Sequence, residues 1–227
     1  MQDKVIVVTG GFGVLGRAVV ETALASGDRV AIPGREQADK LPARDRQMVL
    51  GGVDLTDYAA AKQAFEMVAA RFGKIDGLAN IAGGFIWQTV HDGDLAGWTD
   101  LFRMNLLTAV TATKAALPYL RTAHGAIVNV GSAPAKKAGA GMGAYAASKA
   151  GVLRLTESLA EEEKNNGVRV NAVLPTIIDT PRNRADMPKA DFSRWVKPEE
   201  IAKAVLFLLS DEASAITGAE LLISART

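Results

Sequence analysis

Short apolar runs alternate along the chain with longer segments whose apolar residues recur every three or four positions. The first run, VIVVT at 5–9, is β-branched throughout and reads as a buried strand. A glycine-rich turn follows, and then a helix over 14–25. The same pattern predicts strands at 29–33 (RVAIP), 47–54 (QMVLGGVD), 76–82 (DGLANIA), 125–132 (GAIVNVGS), 168–175 (VRVNAVLP) and near 220–224 (ELLIS). Helices are predicted over 56–72, 94–121, 143–165 and 198–209; Asn166-Gly167 is a plausible stop for the third of these.

Strands that alternate with helices point to a parallel sheet covered on both faces. The near-continuous apolar strands agree, because parallel strands are buried on both sides. Right-handed crossovers then leave a doubly wound α/β fold, a single Rossmann-type parallel sheet of about seven strands in the order 3-2-1-4-5-6-7 with helices on both faces. The 227 residues suit one domain, 1–227, with no repeats or linkers; the polar stretch 176–196 is expected to be a lid loop. In such folds ligands bind at the C-terminal ends of the strands, so chemistry is sought there.

Composition narrows the partners. Apolar residues make up 48% and charged residues 22%, ordinary for a soluble globular protein. A net charge of +1 gives no reason to expect nucleic acid, and Glu161-Glu162-Glu163 reads as a solvated helix face. There is no cysteine, which excludes disulfides, thiolate metal sites and a catalytic thiol. His91 and His124 lack ligand spacing, so no metal is expected. No apolar run is of membrane-spanning length, and the first residues lead straight into a strand with no targeting segment. A reducing cytoplasm is the expected setting.

The turn after the first strand reads TGGFGVLG, residues 9–16. Gly10 permits a tight turn, Gly13 lets the backbone approach a pyrophosphate, and Gly16 lets the helix pack close. With Gly11, Phe12, Val14 and Leu15, these residues form a candidate dinucleotide site at a helix N-terminus. An acid some twenty residues on would bond the ribose of NAD. Gly34 and Arg35 stand there instead, followed by Glu36, so NADP(H) is expected over NAD(H). Asp54, beside Leu55, is placed either to accept from an adenine amino group or to cap the next helix with Thr56.

Tyr145 and Lys149 lie four apart, on one face of a predicted helix. A free tyrosine is a poor acid or base at neutral pH, and a nearby ammonium lowers its pKa. The pair thus suits proton transfer to a carbonyl oxygen or from an alcohol. Ser132 ends a strand thirteen residues earlier, where its hydroxyl can bond the same oxygen. Asn105 falls in a helix interior, a mildly unfavourable place for it, so a specific task is expected.

With TGGFGVLG, NIAGG at Asn80 to Gly84, Asn105, Ser132, Tyr145-x-x-x-Lys149 and VNAVLPTIIDT in this order, the whole chain resembles the short-chain dehydrogenase/reductase family. The resemblance implies an NAD(P)-dependent enzyme. Tyr145 would be its general acid/base, Lys149 would lower the tyrosine pKa and hold the nicotinamide ribose, and Ser132 would orient the substrate carbonyl. Asn105 would hold a water in a proton relay. Backbone at Asn80, Ala82 and Gly83 would line the cofactor ribose; Ile178 and Thr180, with Pro175 nearby, would fix the carboxamide. Family members pair their long helices, which implies a homo-oligomer, dimer or tetramer.

Three departures stand out: Gly13 replaces the commoner glycine at position 14, Pro175 is followed by Thr176, and the chain ends SART. The lid, PRNRADMPKADFSRW at 181–195, is polar and carries Arg182, Arg184, Lys189 and Arg194, which suits a small or polar substrate. It is similar to the lid of the dihydropteridine reductases, a divergent branch of the family. A small carbonyl or alcohol is the main substrate expectation, a dihydropteridine the enzyme alternative. A non-catalytic dinucleotide sensor or scaffold is the other alternative.

Overall fold

The computed structural model describes residues 3–225. Strands β1 (Val5–Thr9), β2 (Arg29–Pro33), β3 (Gln47–Leu50), β4 (Gly77–Asn80), β5 (Ala126–Val130), β6 (Arg169–Pro175) and β7 (Glu220–Ile223) form one parallel sheet, ordered β3-β2-β1-β4-β5-β6-β7. The connecting helices are α1 (Val14–Ala25), α2 (Tyr58–Phe72), α3 (Leu95–Leu101), α4 (Thr108–Ala123), α5 (Gly143–Glu163), α6 (Pro181–Asp186) and α7 (Pro198–Leu209). Strand order reverses between β1 and β4, which opens a crevice at their C-terminal ends.

The period of two within each strand sorts its residues between two apolar layers. Ile6 and Val8 of β1 join the layer built with α1 and α7, where Val19, Ile201 and Val205 are buried. Val5 and Val7 face the opposite layer, with Phe65 of α2, Ala112 and Leu120 of α4 and Leu159 of α5. All five β1 residues are buried, as a strand covered on both faces requires.

Differences from the sequence reading lie at element ends and in one helix. β3 stops at Leu50 because Gly52 turns the chain with φ 73°, and Val53 N then donates to the Gly34 carbonyl at 2.8 Å. α2 begins at Tyr58, capped by Asp57, whose carboxylate accepts from Ala59 N at 2.8 Å. The long helix over 94–121 comprises α3, a π-helical segment at Phe102–Leu107, and α4. α5 ends at Glu163 in a 3₁₀ turn, and Gly167 closes it in the left-handed conformation with φ 72°. Glu163 is not part of a solvated face: it is buried, and Arg121 binds both its oxygens at 2.8 and 2.6 Å, tying the end of α4 to α5.

The segment 176–196 is anchored at both ends. Ile178 bridges Val196, Val196 N donates to the Ile177 carbonyl at 3.0 Å, and Asp179 N donates to the Val196 carbonyl at 2.8 Å. Between these anchors it carries α6, capped by the Thr180 hydroxyl, and a turn at Phe192–Arg194. Arg184 grips Asp179 in a bidentate pair at 2.6 and 2.7 Å and lies over the Phe192 ring.

Candidate active site

A cleft of about 1500 Å³ runs along the C-terminal edge of the sheet, over the switch between β1 and β4. One end is the glycine turn. Gly10 holds φ 69°, and a Cβ there would fall 2.7 Å from Ala82 N. A Cβ on Gly16 would overlap the Gly10 carbonyl, so both positions require glycine. Gly13 begins α1 without a side-chain cap, and no acid stands in the first turn. Val14, Leu15 and Gly16 line the cleft, so an uncapped helix N-terminus meets it. That arrangement fits the pyrophosphate of a dinucleotide. Gly11 and Phe12 do not line the cleft. Gly11 sits on Ile32, and the buried Phe12 ring lies so close under Gly34 that a Cβ there would come within 2.8 Å. They support the turn from below.

Gly34, Arg35 and Glu36 at the end of β2, and Asp54, Leu55 and Thr56 after β3, line the same end. Asp54 Oδ1 accepts from Thr56 N and from Thr56 Oγ1, each at 2.9 Å. The Thr56 N–H holds the Asp54 carboxyl below the usual carboxylate range against the opposing effect of burial; Arg35 and Arg103 add to the lowering. Asp54 thus caps a turn rather than α2. Arg103 was without a sequence signal; it reaches this end from the π-helical segment, with Nη2 3.4 Å from Thr56 Oγ1.

After β4 the lining is Ile81, Ala82, Gly83 and Gly84. Asn80 is not in it. Its Nδ2 donates to Thr113 Oγ1 at 3.1 Å and Asn129 Oδ1 at 2.9 Å, and Asn129 Nδ2 donates to Thr156 Oγ1 at 2.9 Å. This buried chain ties β4 to β5, α4 and α5, so the Asn80 side chain secures the end of β4.

Ser132, Tyr145 and Lys149 meet at the other end of the cleft, joined by Pro175, Ile178 and Thr180 from beyond β6. Ser132 follows β5, while Tyr145 and Lys149 share a face of the first turns of α5. Lys149 is buried, and its Nζ donates to the Val130 carbonyl at 2.8 Å. Burial pushes its pKa from an ordinary 10.5 down to about 8. Burial also pushes the Tyr145 phenol up, opposed by the Ser132 hydroxyl. The Ser132 hydroxyl is thus one influence that lowers the tyrosine pKa. The Phe85 ring stands edge-on to Tyr145, centroids 4.9 Å apart.

Asn105 lies behind this group, buried in the π-helical segment and outside the cleft lining. Its Oδ1 accepts from Gly84 N at 2.8 Å, and its Nδ2 donates to the Gly84 carbonyl at 3.1 Å and to Ser148 Oγ at 2.9 Å. Both amide hydrogens are therefore engaged by protein, and the side chain braces Gly84 and Ser148. Among the described residues no group of three His, Cys, Asp or Glu is placed to hold a metal, and no helix is long and apolar enough to cross a membrane.

Comparison with known proteins agrees with this architecture. The short chain dehydrogenase family profile matches residues 4–191. The chain is 34% identical to 2-(S)-hydroxypropyl-CoM dehydrogenase 3 of Xanthobacter autotrophicus, over 96% of this chain and 94% of that one. It is 33% identical to the 3-oxoacyl-(acyl-carrier-protein) reductase FabG of Escherichia coli, with the same coverage of 96% and 94%. The ligand-free aldohexose dehydrogenase of Thermoplasma acidophilum superposes with a TM-score of 0.89 at 29% identity, covering 99% of this chain and 94% of that one. The chain belongs to the short chain dehydrogenase family of oxidoreductases.

Proposed function

We propose that the protein is a nicotinamide-dependent reductase or dehydrogenase of a small carbonyl or alcohol, with Tyr145 as general acid/base. The observation that carries this reading is the meeting of Tyr145, Ser132 and Lys149 in the cleft that begins at the glycine turn. The names of the relatives support it: a 2-hydroxypropyl compound, a 3-oxoacyl group and an aldohexose each present a hydroxyl or carbonyl carbon.

The glycine turn and the α1 N-terminus would hold the pyrophosphate; Ala82, Gly83, Lys149, Ile178 and Thr180 would line the nicotinamide end. When bound, the dinucleotide supplies or accepts the hydride. The chain's own residues manage the proton. Ser132 donates to the substrate oxygen and fixes it beside the phenol. Tyr145, as the phenol, gives its proton to that oxygen during reduction, and as the phenolate takes one during oxidation; burial opposes the phenolate and the Ser132 hydroxyl favours it. The buried Lys149 holds a positive charge behind the site below about pH 8.

NADP(H) over NAD(H) belongs to this proposal. Arg35 and Arg103 stand at the adenosine end, and the Asp54 carboxylate there is already bonded to Thr56. Glu36, next to Arg35, is the acid that would oppose a ribose phosphate. A homo-oligomer in the cytoplasm completes the reading.

Ser132 beside Tyr145 favours a carbonyl over a dihydropteridine, and the complete Ser132–Tyr145–Lys149 group favours an enzyme over a sensor. The test is consumption of NADPH and NADH with a panel of small ketones and aldehydes beside quinonoid dihydropterin. Turnover of a ketone or aldehyde is expected; rapid turnover of the pterin alone would replace the substrate reading. Dinucleotide binding with no turnover would replace the enzyme reading.

A further inference from the structure

We infer that the catalytic end of the cleft takes a small anionic compound, one whose carbonyl or hydroxyl is joined through a short carbon body to a carboxylate, phosphate or sulfonate, and that Lys137 and Arg182 receive the anion. As a statement about substrate it rests on the proposed function above.

The charged residues lining the cleft are divided along the chain. Its acids, Glu36, Asp54 and Asp100, all come from segments before β5. After β5 every charged lining residue is basic: Lys137, Lys149 and Arg182. Lys149 is buried and bonded to Val130, which leaves Lys137 and Arg182 as the charges a substrate would meet beside Ser132 and Tyr145.

Their neighbours have other tasks. Lys136 is paired with Glu220. Arg184 is locked onto Asp179, and Asp191 caps the turn at Ser193. Lys137 has no carboxylate within ion-pair distance among the described residues. Arg182 has only Asp186, four residues on and 3.6 Å away, with both side chains exposed. Such a pair is worth little and yields readily to a better anion.

Both cations stand on held backbone. Trp87 Nε1 donates to the Ala140 carbonyl at 3.2 Å and Gln88 N to the Gly141 carbonyl at 2.9 Å, tying the loop after β4 to the loop that carries Lys137. Arg182 is in α6, whose start is fixed by Thr180 Oγ1 and by Asn183 Nδ2 bonded to the Ile178 carbonyl at 2.8 Å. Phe85, Pro134, Met142, Ile177 and Met187 line the same cleft and give it an apolar surface that suits a short carbon body. Guanidinium and ammonium groups facing one pocket from two segments are a recognition pattern for an oxyanion.

The test uses 4-oxopentanoate and its methyl ester, which share a ketone and differ in the anion. Binding is measured by calorimetry to the protein saturated with oxidised dinucleotide, so that no reduction occurs. The acid is expected to bind at least about tenfold more tightly than the ester. That preference should fall to near unity in the Lys137→Gln/Arg182→Gln double variant and persist in Lys136→Gln. Equal binding in the wild type, no binding of either compound, a preference that survives the double variant, or a loss confined to dinucleotide affinity would overturn the inference. NADPH consumption with the same two compounds separates the two readings. Selective binding of the acid with no Tyr145-dependent reduction of it or of any ketone or aldehyde in the panel would uphold the anion site and defeat the reductase.

Discussion

Asn105 Nδ2 donates to Ser148 Oγ at 2.9 Å inside the protein, and Ser148 Oγ donates in turn to the Tyr145 carbonyl at 2.7 Å. The brace from the π-helical segment therefore reaches the acid/base residue through one buried serine. The same asparagine holds Gly84 at both its N–H and its carbonyl, so the loop after β4 and the start of α5 share one support. Ser148→Ala strands a buried amide hydrogen and is expected to cost about 1–3 kcal/mol of stability. It should also lower kcat about tenfold by loosening Tyr145, with a smaller change in dinucleotide affinity. Denaturant unfolding and steady-state kinetics on one variant check both effects; an unchanged kcat would remove the brace from the catalytic account.

Lys149 is held at a cost to the fold. Its pKa drops from 10.5 unfolded to about 8 folded, so the unfolded chain binds the proton more tightly. The penalty, up to about 3 kcal/mol, is fully present below pH 8 and fades as pH rises toward 10.5. Lys149→Met is therefore expected to abolish turnover yet unfold at a higher denaturant concentration at pH 7. The gain should shrink across pH 8 to 10.5. A variant less stable than wild type throughout that range would contradict this reading.

Arg121 and Glu163 work with the opposite sign. Arg121 holds the Glu163 carboxyl below its usual range, so the pair contributes stability above the unfolded carboxylate pKa and loses it as pH falls through the folded one. Arg121→Met leaves the Glu163 carboxylate without its partner and is expected to lower the urea midpoint at neutral pH. The deficit should narrow under acid conditions; urea midpoints at neutral and acid pH measure it.

Cofactor choice rests on Arg35. Arg35→Ala is expected to reduce the ratio of NADPH to NADH affinity about tenfold, as loss of one phosphate-pairing cation would. Fluorescence titration with both dinucleotides gives the ratio directly. A ratio that does not move would shift the discrimination to Arg103 or abolish the preference.

The sheet was legible because its strands are short, largely apolar runs and its helices have clear periods; strand order followed from the alternation. Element ends were less so, since Gly52 and Asp57 decide them through backbone turns and caps that a hydrophobic pattern does not register. The π-helical segment was invisible. Its residues fit an ordinary helix locally, and its width accompanies bonds from Asn105 to Gly84 and Ser148, which are 21 and 43 residues distant. For the same reason Asn80 reads as a motif member in sequence and as a sheet tie in three dimensions. Glu163 reads as one of three surface acids until Arg121 is placed beside it. Arg103 and Lys137 stand in no motif; only the fold brings them to the cleft.

The most direct measurement is made on Tyr145→Phe. An ordinary tyrosine is protonated at neutral pH, and burial pushes the Tyr145 phenol further in that direction, so the phenol is available as the proton donor for reduction. The account predicts that Tyr145→Phe binds NADPH within about twofold of wild type while carbonyl reduction falls at least about a thousandfold. Turnover that survives this substitution would contradict the assignment of Tyr145 as the acid/base of the reaction.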